Sequence, residues 1–164
     1  MTTKIDVRMI VSDHFATFKD EGTGRASASD FVVMVGIPLT ASLLAILFDF
    51  QIKDSYVGTL VSVFAIFAGL LFNVLVLIYS FSDEEDDDKK SIRNNLIRQS
   101  FANISYSIII SLGVVFLLTL MLFVGGIAQK ALEVVVIFLA VNFFLSLLMV
   151  LKRIHVLLRD KFGG

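Results

Sequence analysis

The side chains able to do chemistry are few in this sequence, and their spacing limits what that chemistry can be. Six consecutive carboxylates, Asp83, Glu84, Glu85, Asp86, Asp87 and Asp88, could dock a basic protein or attract a divalent cation. They lack the alternating oxygen-ligand and glycine pattern of an EF-hand loop, and six like charges repelling one another also describe a solvated loop. His14 and His155 stand 141 positions apart with no Cys or acidic partner at metal-ligand spacing. They read as interfacial side chains rather than ligands; the other reading makes His155, beside Arg153, a pH sensor.

A second set is polar and uncharged. Ser100, Asn103, Ser107 and Ser111 share one line of a helix, after which Val115, Leu118 and Leu122 continue without polarity. Around an axis formed by several copies, Asn103, Ser107 and Ser111 would line a wet vestibule closed by a dry plug, the arrangement that gates by dewetting. The alternative is that these hydroxyls bond back to their own helix and cross to Asn142 and Ser146. Gly58, Ser62, Ala65, Gly69 and Asn73 advance by 4, 3, 4 and 4 and form a small-residue seam expected to bury against another helix. Asn73 is either a constriction or an interhelical hydrogen bond.

The elements that position these residues follow from hydropathy. The chain has 164 residues, 57% of them hydrophobic, and four apolar runs cover 31–48, 56–81, 101–124 and 131–151. Each reaches or approaches the ~20 residues a helix needs to cross a ~30 Å hydrocarbon core. None alternates as a barrel strand would. The expected fold is an all-α integral membrane protein, an antiparallel four-transmembrane-helix bundle forming a single membrane domain. Residues 1–30 precede the first span, 82–100 form an acidic then basic loop, and 152–164 a basic tail. The first span reads as a retained anchor, since Ala26-Ser27-Ala28 lies before it rather than after it.

Lys and Arg set the orientation. Twelve lie in the N-terminal segment, the middle loop and the tail, against Lys53 and Lys130 in the two other loops. Both termini are therefore expected in the cytoplasm, with helices 1 and 2, and helices 3 and 4, closing as hairpins over tight external turns. Val7, Ile10, Val11, Phe15 and Phe18 fall at helical spacing opposite Asp6, Arg8, Asp13 and Lys19. This short amphipathic helix would lie in the headgroup layer or pack under the bundle. Asp30 is placed to cap the first span. Pro38 removes a backbone donor inside that span and should free the carbonyl of Met34, kinking the helix unless Thr40, Ser42 or a neighbour satisfies it. Helix 3 should start near Asp87, and helix 4 should continue outward to Phe162.

Apart from Glu133 at an edge, the four runs contain no Asp, Glu, Lys, Arg, His or Cys. Proton relays, coupled transporters and voltage sensors depend on intramembrane ionisable groups, and hydrolysis needs a nucleophile with a base or an acid pair. No catalytic residue, metal ligand or cofactor site is assigned, and the chain reads as non-enzymatic. Basic residues confined to membrane-flanking positions, with a pI of about 6.1, speak against nucleic-acid binding.

Four short-looped spans, an acidic loop and no catalytic residues resemble the small four-span membrane components of bacterial anti-phage defence systems, such as the membrane subunit of Kiwa. The resemblance covers the plan of the whole chain and rests on no diagnostic motif, so no residue role passes across. It implies a membrane component that acts with a separately encoded cytosolic protein, or a membrane-disrupting effector, while small size and compact loops point to a bacterial inner membrane. Two functions are thus expected. One is a homo-oligomeric subunit, trimer to hexamer, that anchors or senses at the membrane and recruits a cytosolic partner through Asp83 to Asp88 and through Lys152, Arg153 and Arg159. The other is a pore or permeabilising effector.

Overall fold

Apolar sequence in lipid has to satisfy every backbone group internally, and the chain does so with helices. The structure, a computed structural model, describes residues 6–18, 28–80 and 90–162. Among them the elements are α1 (Arg8–Ala16), α2 (Ala28–Phe31) running through a π-helical segment (Val32–Gly36) into α3 (Ile37–Leu47), then α4 (Asp54–Ser80), α5 (Lys90–Met121) and α6 (Gly126–Phe162). Four stretches are long and apolar enough to cross a membrane: Ser29–Leu47, Asp54–Tyr79, Asn94–Met121 and Gly126–Val156. The protein is all-helical among the described residues and has the character of a membrane protein.

The centre of the fold is α5. Ser100, Ile104, Ser107, Ser111, Val114, Leu118 and Met121 advance by alternating steps of four and three, the seam period of packed helices, and all seven are buried. Against this seam α4 sets Val57, Phe64, Leu71 and Ile78, and α6 sets Val136, Phe143 and Val150, each series stepping by seven. Phe143 is fully buried and meets the rings of Phe64 at 5.2 Å and Phe67 at 5.6 Å, both edge-on, a geometry that aromatic quadrupoles favour.

The hairpin expected between the first two spans does not form. α3 packs on α6 while α4 packs on α5, and α3 makes no contact with α4. The reason lies in the connection. α3 ends in a Schellman motif: Phe50 N–H reaches the Ala45 carbonyl at 2.8 Å and Asp49 N–H that of Ile46 at 3.2 Å, with Asp49 in the left-handed region at φ 48°. Asp is among the few non-glycine residues that tolerate this conformation. The loop then crosses the start of α6. Asp49 pairs with Lys130 at 2.6 Å, and Ile52 N–H donates to the Glu133 carboxylate at 3.3 Å. The four residues Phe50 to Lys53 that follow this turn, at ~3.3 Å each, reach beyond the ~10 Å width of a helix, enough to carry α4 past α6 to α5. At the same end, the turn from α5 into α6 uses Gly126, whose φ of 66° suits a residue without Cβ.

Candidate functional site

Polar side chains buried in an apolar bundle have to find partners, and here they gather at one end of α5. α1 lies on that end and brings His14 and Thr17 down onto it. His14 is 1% exposed, so the expectation of an interfacial side chain is corrected. Its ring stacks on Tyr106, 3.7 Å between centroids and 4° from parallel, and Phe18 meets it edge-on at 5.0 Å. His14 Nδ1 lies 2.7 Å from Asn103 Oδ1. Since that oxygen only accepts, the ring proton sits on Nδ1 and Nε2 is left bare. The Thr17 hydroxyl donates to the His14 carbonyl at 2.7 Å and lies 3.1 Å from the same Asn103 oxygen. Arg153, from α6, closes the group: its guanidinium donates to the carbonyls of Thr17 at 3.2 Å and Gln99 at 3.3 Å. A cation on the last carbonyls of a helix favours that end of its dipole, so Arg153 ties α1, α5 and α6 together.

Burial is the largest influence on His14 and pushes its pKa from 6.5 down to about 4; the hydrogen bond to Asn103 acts upward and the charge of Arg153 downward. The docked ring is thus neutral at physiological pH. The signal for its burial was in the sequence. His14 follows Val11 by three and precedes Phe18 by four, on the apolar stripe of α1 itself.

One layer further in, the Asn142 amide joins three elements. Its oxygen accepts from Tyr106 Oη at 2.9 Å, and its nitrogen donates to the Met34 carbonyl at 2.9 Å. Met34 O is the acceptor expected to be freed by Pro38, and α6 satisfies it rather than Thr40 or Ser42. Those hydroxyls go to Ile37 O and Pro38 O instead. Beside Pro38 the helix widens into the π-helical segment, a common adjustment where the regular ladder is interrupted.

Asn103, Ser107 and Ser111 are all fully buried inside the single chain. They face α1, α4 and α6, not an outer surface from which several copies could enclose an axis. Ser107 bonds back to Asn103 O at 2.8 Å, while Ser111 donates to Phe64 O of α4 at 2.6 Å. Among the described residues four buried side-chain atoms have no hydrogen-bond partner: His14 Nε2, Ser100 Oγ, Asn103 Nδ2 and Ser146 Oγ. His14 Nε2 and Asn103 Nδ2 belong to the α1 contact, Ser100 lies one turn before Asn103 on α5, and Ser146 lies one turn along α6 from Asn142.

The seam of Gly58, Ser62, Ala65, Gly69 and Asn73 is exposed along its whole length, so no helix of the same chain covers it. A Cβ at Gly58 or Gly69 would meet nothing within 4 Å. Larger side chains on the opposite face of α4 interlock with α5 and leave the small ones outward. Of the basic tail, Lys152 and Arg159 are exposed, whereas Arg153 turns inward and is spent on α1. The acidic run Asp83 to Asp88 lies outside the described residues. Asp30 falls in the first turn of α2, inside the helix rather than at its cap.

No protein family, curated protein or solved structure matches the chain.

Proposed function

We propose that this chain is a non-enzymatic, homo-oligomeric subunit of the bacterial inner membrane. In this reading it is an antiparallel four-span bundle with both termini in the cytoplasm, and it anchors or senses at the membrane and recruits a cytosolic protein. The defence systems it resembles in plan are the setting we propose for it. One observation carries the oligomeric part: the amide of Asn73 stands on the outward face of a membrane-crossing helix, in line with Gly58, Ser62, Ala65 and Gly69. A polar amide facing lipid is costly. Small residues let backbones approach closely where no hydrophobic drive acts between helices, so a second copy of α4 both shields the amide and fills the flat face. Recruitment is assigned to Asp83 to Asp88 with exposed Lys152 and Arg159.

The chain contains no Cys, which makes the oligomer test direct. Ala65→Cys, oxidised in membranes, is expected to cross-link copies, while a cysteine placed at inward-facing Phe64 is not. Asn73→Leu should weaken association about threefold, corresponding to ~0.6 kcal/mol for one interhelical hydrogen bond in lipid, and Gly69→Ile should weaken it further by blocking close approach. Reversing the charge of Asp83 to Asp88 should release the cytosolic partner and leave the oligomer intact. Equal cross-linking from both faces of α4 would sink the oligomer assignment.

A further inference from the structure

The contact between α1 and α5 is built unlike the rest of the protein. Between α4, α5 and α6 the helices meet mainly through interlocking apolar side chains, but beside the ring of Phe18 α1 is held by a neutral imidazole, a hydroxyl and the Arg153 guanidinium on its terminal carbonyl. Two of the four partnerless buried atoms among the described residues sit in this contact, His14 Nε2 and Asn103 Nδ2, and a third, Ser100 Oγ, lies one turn before Asn103 on α5. A buried polar atom without a partner is a standing cost that water would remove. α1 is only nine residues long, too short to be stable alone, with Met9 and Phe15 exposed while docked. A short element with a wet-preferring interface is the kind that opens locally while the remainder stays folded.

We propose that α1 is a detachable latch: neutral His14 holds it against α5 beside Arg153, and a proton on the ring releases it, admitting water to the polar line that starts at Ser100. The geometry sets the direction. Nδ1 already donates to Asn103, so the new proton goes to Nε2, where no acceptor lies among the described residues. The groups facing the ring are the neutral phenol of Tyr106 from α5 and the cation of Arg153 from α6; Asp13 on α1 is exposed. No carboxylate among them stabilises an imidazolium. Docking is therefore full above pH 6.5 and weakens by up to tenfold per unit as the pH falls toward about 4, the docked value for His14. The latch stands independently of the oligomer and of any cytosolic partner.

The absence of native Cys allows a labelling test on the full chain in lipid nanodiscs. Thr17→Cys reports the covered position, being buried on α1 against Asn103 of α5, Asn95→Cys is the exposed reference on α5, and Leu118→Cys reports the core of the bundle. Between pH 7.5 and 4.5 the labelling rate of the first relative to the second is expected to rise on the order of 100-fold, with the Leu118 position unlabelled throughout. In a His14→Gln background the ratio should no longer change with pH. In an Arg153→Gln background it should already be raised at pH 7.5 and should still climb on acidification. A ratio that is flat with pH in otherwise unaltered protein overturns the proposal, as does pH dependence that persists in His14→Gln. Labelling at the Leu118 position at pH 4.5 also overturns it, because the bundle then opens as a whole.

Discussion

Phe143→Ala is expected to lower the stability of the folded bundle by at least about 3 kcal/mol, toward the lower end of the ~3–5 kcal/mol seen for buried Phe truncations. The residue has no exposed surface, and its ring lies between those of Phe64, Phe67 and Phe144. Lipid is as apolar as the site, so the transfer part of the usual cost is small. What is lost is packing. An unfilled ring volume leaves its lining atoms without dispersion partners, and each edge-on ring pair contributes ~0.5–1.5 kcal/mol more. α4 and α6 meet through these rings, so the variant should loosen α4 first. Phe116→Ala is the control. That side chain is 67% exposed on an outward face of α5, and its removal should cost less than about 1 kcal/mol, since surface changes of this kind rarely cost more. Unfolding of the two variants by denaturing detergent in mixed micelles measures the difference.

Asn142→Leu should be the next most damaging single change, at about 2–4 kcal/mol. It strands two buried groups at once, the Tyr106 hydroxyl and the Met34 carbonyl, and each unpaired buried group costs ~1–3 kcal/mol. Interhelical hydrogen bonds in membranes usually contribute less, ~0.6 kcal/mol, because the dissociated helices find other partners. The Met34 carbonyl has lost its ordinary alternative, since Pro38 lacks the backbone N–H that serves this position in a regular helix. This yields a double-mutant prediction. In a Pro38→Ala background, where residue 38 regains an N–H, Asn142→Leu should cost about 1 kcal/mol less than in the unaltered chain. Equal cost in both backgrounds would show that the carbonyl of Met34 is not what Asn142 serves.

These residues also mark what the sequence made legible. Length and apolarity fix the four spans, because a helix that crosses lipid has almost no freedom in composition. The continuation of α6 to Phe162 followed from the apolar stripe Ile154, Leu157 and Leu158. The release of the Met34 carbonyl by Pro38 is local stereochemistry and could be read directly, but the identity of its partner could not. Asn142 is 108 positions away, and only the packing of α3 on α6 brings it there. That packing was itself hidden. The seven residues Asp49 to Ser55 read as a tight turn between neighbours, whereas Asp49, Ile52, Lys130 and Glu133 fasten the connection across α6. The small-residue seam of α4 was visible as a seam, but which face α4 turns to α5 depended on the larger side chains of Val57, Phe64, Leu71 and Ile78. His14 was obscured by its chemistry: a titratable ring on an apolar stripe reads as a surface group until Tyr106 and Asn103 are placed beneath it.

The most direct test of the central claim is native mass spectrometry of the full chain released gently from its own membranes. A closed homo-oligomer carrying a stoichiometric soluble protein, with that protein lost when Asp83 to Asp88 are reversed in charge, is the predicted result. A monomer, or a closed oligomer to which no protein binds with either charge at those positions, would contradict it.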